Sequence, residues 1–188
     1  MVSRKYTSDY RLENVTDKKG RLVTVPVYRG DVFSFERPED EMKKIKKVFA
    51  VSMVLQVVLF LIPLFLNSQS ARTIYVSLPY LAMAFPLLGE VDAVFTFLFL
   101  KKDVKRSEKD KVTEKLVSWV FLVLLFGIFS TLGHIVHWML DGETVADAIH
   151  LVITIVIVAL GYSLFSRRKL LSMKRTGSTK MPESYYEN

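Results

Sequence analysis

The chain has 188 residues, 51% of them hydrophobic, a formal net charge of +7 and a mean hydropathy of +0.27. Those values suit a small polytopic membrane protein better than a soluble domain, and the basic excess reads as membrane-flanking charge rather than a nucleic-acid footprint. The absence of cysteine excludes disulfide frameworks, thiol relays, iron–sulfur clusters and thiolate metal sites.

Residues 1–37 are expected to form a cytoplasmic segment built on a β-hairpin. Tyr10–Val15 alternates, Asp17–Gly20 supplies turn chemistry, and Leu22–Tyr28 is rich in β-branched residues. Pro26 cannot donate to a ladder and so belongs on an edge. Arg29–Asp31 reads as a second turn before the short apolar piece Val32–Phe35. An isolated hairpin is marginal in water, so this one should rest on the bundle's inner end, on headgroups or on a partner. Asn14-Val-Thr16 fits a glycosylation sequon and Arg29-Gly-Asp31 an adhesion tripeptide. Both fall on the side assigned to the cytoplasm, and neither is read as functional.

A cleavable leader would place its apolar core within roughly the first 15–30 residues. Here 47 mostly polar residues precede the first apolar run, which is expected to stay as an anchor. Pro38 followed by Glu39, Asp40 and Glu41 predicts a helix start.

Residues 38–166 are expected to form an all-α, four-helix antiparallel transmembrane bundle. Its spans are about 48–66, 74–100, 116–140 and 145–165, each long enough at about 1.5 Å per residue to cross a roughly 30 Å core. Pro63 should kink the outer end of the first. Residues 101–115 read as a charged, helical linker at the cytoplasmic headgroups. Residues 167–188 read as a basic cytoplasmic tail, disordered over the final stretch Gly177–Asn188. Lys43, Lys44, Lys46 and Lys47, then Lys101 and Lys102, then Arg167, Arg168 and Lys169 are expected at anionic lipid headgroups.

Lys and Arg set the orientation. Twelve precede the first span, one lies in 67–73, seven lie in 101–115, none lies in the turn at 141–144, and six lie in the tail. Basic residues hold their segments on the cytoplasmic side, so both termini are expected inside.

Ionisable groups within a span cost about 2.5–3.5 kcal/mol on insertion scales, so each needs a reason. Glu90 falls about 15 Å above the inner boundary, Asp92 about 12 Å and Gln56 about 13 Å. Gln56 can therefore reach either carboxylate. The two acids are two residues apart and do not share a helix face. Pro79, Pro86 and Gly89 precede them as candidate helix breaks, and a broken span beside a carboxylate is a recurring way to build an ion or proton site. The alternative is a proline-kinked helix whose acids bond to Gln56, Ser52 and backbone for packing alone.

A second polar layer lies at the outer end. His134 and His137 are three apart on the third span, and Asp147 and His150 are three apart on the fourth, so each pair shares a face. Three imidazoles and one carboxylate suggest zinc or another divalent ion, or a pH-sensing cluster. The alternative is an interfacial belt beside Trp138, with Asp147 as a dipole partner of the last helix. No HExxH, phosphate-binding loop, nucleophile elbow or dinucleotide fingerprint is present. Gly127-x-x-x-Thr131 and Ala159-x-x-x-Ser163 are spacings that allow close helix packing, within one chain or between copies.

Small four-span drug exporters carry their carboxylate in the first span of a shorter chain, and claudin-like proteins have a large first outer loop with cysteines. The chain has neither feature. Its general shape is similar to that of many small membrane proteins of prokaryotic cell membranes. The expected role is an accessory or regulatory subunit that docks to a membrane-protein partner through its cytoplasmic face. The rival is a small oligomeric transporter or channel moving protons, a metal ion or a small solute past Glu90 and the histidine layer. A membrane enzyme using the outer cluster ranks last, because the segments outside the spans offer no substrate pocket.

Overall fold

A computed structural model describes residues 4–16, 21–101, 103–142 and 144–178. The hairpin turn expected at 17–20, Lys102 and the tail beyond 178 lie outside the described residues. The chain forms two compact units, one helical (37–99 and 111–172) and one rich in β-structure, gathered from 4–36, 100–110 and 173–178.

The helical unit starts with α1 (Glu39–Leu61), capped at Pro38 and carrying Glu39, Asp40 and Glu41 in its first turn. Arg37 pairs with Glu41 at 3.0 Å and Lys43 with Glu39 at 3.2 Å, both one helical turn apart. Such exposed pairs contribute only about 0.3–0.5 kcal/mol each. The α-helix ends before Pro63, and Ile62–Phe65 tightens into a 3₁₀ turn. A second hydrophobic stretch is divided into α2 (Ile74–Ala82) and α3 (Ala84–Phe99). A short helix α4 (Arg106–Asp110), assigned to the other unit, and a π-helical turn (Lys111–Lys115) come before α5 (Leu116–Asp141). The unit closes with α6 (Val145–Ser166) and a 3₁₀ turn, Arg167–Leu171.

In the bundle α5 packs on α6, α2 and α3, while α1 packs on α6 and α3. Four helical stretches are long and apolar enough to cross a membrane: Glu39–Phe65, Ile74–Phe99, Arg106–Leu140 and Val145–Leu171. Several polar groups sit inside this bundle among apolar ones, and many large apolar groups face outward. Gln56, Glu90, Ser130 and Thr154 are fully buried, whereas Phe85, Leu88 and Met139 are 68%, 71% and 79% exposed. A water-soluble bundle shows the reverse pattern.

α2 and α3 meet at Met83, which keeps helical backbone angles (φ −62°, ψ −23°) and whose N–H reaches both Pro79 O and Tyr80 O at 3.2 Å. Pro79 has no N–H to give Tyr75 O, four residues earlier, so that carbonyl is left without its helical donor. Gly133 of α5 lies against that same Tyr75 carbonyl, where a β-carbon would collide with backbone. Ser130 Oγ, one turn earlier on α5, donates to Val76 O at 3.3 Å. Proline on one helix and small residues on the other thus bring two backbones together. Pro86 lies in the first turn of α3, where its missing N–H costs little. Gly89 is not a break. It lies inside α3, and the Trp119 ring occupies the space of its absent side chain. Gly142, at φ 78°, ends α5 in a conformation that favours glycine.

Of the two small-residue spacings, Gly127 faces Val158 of α6, whereas Ala159 is exposed; Gly161, outside both spacings, faces Leu124 of α5. Phe49 and Phe97 meet edge to face at 5.5 Å, joining α1 to α3.

In the β-rich unit, β1 (Tyr10–Thr16) and β2 (Leu22–Tyr28) form the expected antiparallel hairpin, with Tyr10 opposite Tyr28 and Leu12 opposite Pro26. The piece after it is a strand, β3 (Asp31–Phe35), at the centre of a three-stranded sheet. Its neighbours are β4 (Val104–Lys105) and β5 (Met173–Ser178), both antiparallel to it. Tyr28 is buried where its ring meets Tyr10 edge to face at 5.3 Å. Its hydroxyl donates to Asp31 O at 2.7 Å and accepts from Arg106 N at 3.1 Å. Burial pushes this phenol's pKa up, against the pull of the Arg106 N–H. Lys109 stacks over Phe33 at 4.2 Å, and Arg175 pairs with Asp31 at 2.7 Å.

Two expectations are corrected. The 101–115 stretch is helical over 106–115, as expected, but its 104–105 piece is a strand, β4, and it contributes β4 and α4 to this unit. Part of the 167–188 tail is ordered, as a 3₁₀ turn and then β5, with Gly177 and Ser178 included in the strand. Neither strand has an alternating apolar pattern of its own. Backbone hydrogen bonds to β3 supply what the side chains do not.

Candidate functional site

The buried polar residues of the helical unit fall into two groups. The first joins α1, α3 and α6. Glu90 is fully buried on α3, and Gln56 is fully buried on α1. One end of the Gln56 amide lies 2.9 Å from Glu90 Oε1. The other end lies 3.3 Å from Gly161 N and 3.5 Å from Ile157 O on α6. Glu90 Oε2 has no hydrogen-bond partner among the described residues.

Asp92 is not part of this group. It points away from Glu90, and its side chain is 69% exposed. There it pairs with Lys111 at 2.8 Å. The half-turn between positions 90 and 92 accounts for the separation. Ser52 is buried on α1, but no hydrogen bond joins it to either acid.

The second group gathers around the 67–73 connection. His134, His137, Asp147 and His150 are all buried. His134 and His150 meet edge to face at 4.4 Å, and Tyr80 meets His150 edge to face at 4.7 Å. Tyr80 also stacks on Phe60 at 5.0 Å and donates to Phe60 O at 2.8 Å. Ser68 Oγ lies 3.4 Å from His150 Nδ1. The Nε2 atoms of His134 and His150 and the hydroxyl of Ser70 have no hydrogen-bond partner among the described residues.

Asp147 turns from the imidazoles to the backbone. Its Oδ1 accepts from Ser70 N at 2.8 Å. Its Oδ2 accepts from Thr144 N at 3.1 Å and Thr144 Oγ1 at 2.6 Å, and Thr144 Oγ1 accepts from Asp147 N at 3.3 Å. This is a capping box at the start of α6, extended to the 67–73 connection through Ser70. With both oxygens so used, the carboxylate is not available beside the histidines. Among the described residues no three His, Asp or Glu side chains are placed to hold a metal ion. The zinc reading therefore loses its geometry. Of the interfacial-belt reading, Asp147 does lie in the first turn of α6, but the imidazoles are buried while Trp138 is 57% exposed.

Between the two groups lies an apolar cluster of Phe60, Tyr80, Met83, Leu87, Val123 and Ile157. Tyr80, Ser68 and Ser70 were not singled out from sequence. A tyrosine inside an apolar run was the one available signal.

The residues assigned to headgroups divide. Lys44, Lys47, Lys101, Arg168 and Lys169 are exposed, and so is Lys43, which pairs with Glu39. Lys46 instead turns inward, donating to Leu98 O at 3.1 Å with its ammonium 5.7 Å from the Phe97 ring centre. Arg167 turns back along α6 to Ser163 O at 3.1 Å.

Comparison with known protein families, with characterised proteins and with solved structures finds no match.

Proposed function

We propose that the protein is an accessory or regulatory subunit of a membrane complex, with four spans in the bilayer, both termini in the cytoplasm and its docking surface on the β-rich unit. The observation that carries this reading is how that unit is made. Three separate stretches, 4–36, 100–110 and 173–178, come together in it. By the distribution of Lys and Arg, all three lie on one side of the membrane. The hairpin leaves Leu12 and Leu22 75% and 78% exposed, apolar surface that a protein partner could cover. Anionic lipid is the second expected neighbour, through exposed basic residues such as Lys44, Lys47, Arg168 and Lys169.

The absence of cysteine allows a direct test. A single cysteine added at the C-terminus should react with a membrane-impermeant maleimide only after the cells are opened; reaction in intact cells reverses the orientation. A photo-crosslinker at Leu12 or Leu22 should then yield one discrete product with a different protein in native membranes. Products with other copies of this chain alone would replace the subunit reading with a homo-oligomer.

A second reading, a small transporter or channel, is favoured by the fully buried Glu90 on a span that carries Pro79 and Pro86. Proton or cation flux in proteoliposomes that Glu90→Gln abolishes would establish it. Wild-type flux no greater than that of empty liposomes would end it.

A further inference from the structure

The Gln56 amide can bond Glu90 in either of two protonation states, with a different partner on α6 in each. If its nitrogen faces α3, it donates to an ionised Glu90 Oε1 at 2.9 Å, and its oxygen accepts from Gly161 N at 3.3 Å. If its oxygen faces α3, it accepts from a Glu90 Oε1–H over the same distance, and its nitrogen donates to Ile157 O at 3.5 Å. A half-turn of one amide about its terminal bond interconverts the two. Each state is served by groups on the same three helices, α1, α3 and α6.

We propose that Gln56 and Glu90 form a proton-binding site, in which uptake of one proton by Glu90 turns the Gln56 amide from the Gly161 N–H to the Ile157 carbonyl. The proton adds to the carboxylate oxygen and no other covalent bond changes. On release it returns to water. The ligand is the proton, because one carboxyl and one amide make too few oxygens for a metal cation of ordinary coordination.

The surroundings leave Glu90 no other ionic partner among the described residues. On its own helix Asp92 turns to Lys111. From α1, Lys46 is directed at Leu98 O. From α2, Tyr80 is bonded to Phe60 O. From α6, Asp147 is held by Ser70 and Thr144, and His150 lies beside Ser68 and His134. From α5, His134 lies against His150 and not against Glu90. The site goes beyond the subunit reading and does not depend on it.

Infrared spectroscopy of the full chain in lipid nanodiscs tests the proposal. The wild type should show one carbonyl stretch of a buried carboxylic acid per chain that Glu90→Gln removes. The band should disappear reversibly as the pH is taken from acid to alkaline, while a Gln amide band shifts with the same midpoint. If Glu90→Gln fails to fold, Glu90→Asp assigns the band by moving it. In Gln56→Leu the ionised state loses a charge-assisted bond and the protonated state only a weaker neutral one, so the midpoint should move by at least tenfold in proton concentration. A band that is absent throughout or never lost overturns the site. An unchanged midpoint in Gln56→Leu, or an amide band that stays still, overturns the coupling.

Discussion

Glu90 and Asp147 are both buried acids of the helical unit, yet they are held in opposite ways. Asp147 is fixed by the backbone N–H groups of Ser70 and Thr144 and by the Thr144 hydroxyl. The Thr144 donors belong to a helix cap and the Ser70 donor to the 67–73 backbone, and none can turn away without rearranging the chain. Glu90 meets only a side-chain amide, which can present either a donor or an acceptor. Burial alone therefore does not mark a chemical site. An acid surrounded by backbone donors is an anchor, and an acid facing a single reversible partner is free to change state.

The comparison breaks most visibly at Asp147. Asp147→Ala removes the carboxylate half of the capping box and a buried, charge-assisted bond to Ser70, a loss of about 3 kcal/mol. Asp147→Asn should recover part of that loss. Unfolding in mild detergent measures both; a loss below about 1 kcal/mol for the alanine would mean that the cap is not structural. At Glu90 the sign should reverse. Glu90→Leu removes an acid whose burial is costly and should stabilise the bundle by about 1–2 kcal/mol. Gln56 keeps Ile157 O as a partner in that variant. A marked loss of stability would turn Glu90 into a second anchor and remove the contrast.

How much of this was legible in the sequence depends on what each feature rests on. The four long helices follow from apolar runs, and their observed ends differ from expectation where caps and charged turns extend them. α1 begins at Glu39, nine residues before the apolar run, because Pro38 and three acids start it. The hairpin was legible because both strands carry β-branched or alternating residues. The sheet around β3 was not, because β4 has two residues and β5 reads Met-Lys-Arg-Thr-Gly-Ser, a basic tail by composition. The meeting of Gln56 with Glu90 follows from equal heights on two spans. The histidine layer was half legible. Spacing of three residues put each pair on one face, but the direction of Asp147 is set by Ser70, in a connection whose path no pattern announces.

The smallest effect separates the two acids of α3 from each other. Asp92 lies two residues from Glu90, but its carboxylate is 69% exposed and meets Lys111, whose side chain is 30% exposed, at 2.8 Å. If water reaches this pair, Lys111→Ala should cost only about 0.2–1 kcal/mol, as exposed ion pairs do. The cost should shrink further in molar salt, where the screening length falls to about 3 Å. If lipid surrounds the pair, removing the lysine strands a carboxylate in hydrocarbon. The loss should then exceed about 2 kcal/mol and resist salt. In that case Asp92→Asn combined with Lys111→Ala should restore stability, since neither charge remains to be compensated. Measuring the single and double variants at two salt concentrations fixes which solvent reaches the Asp92 face of α3. A large, salt-independent loss that the double variant does not rescue would show that Lys111 acts through packing, and that Asp92 needs no charged partner.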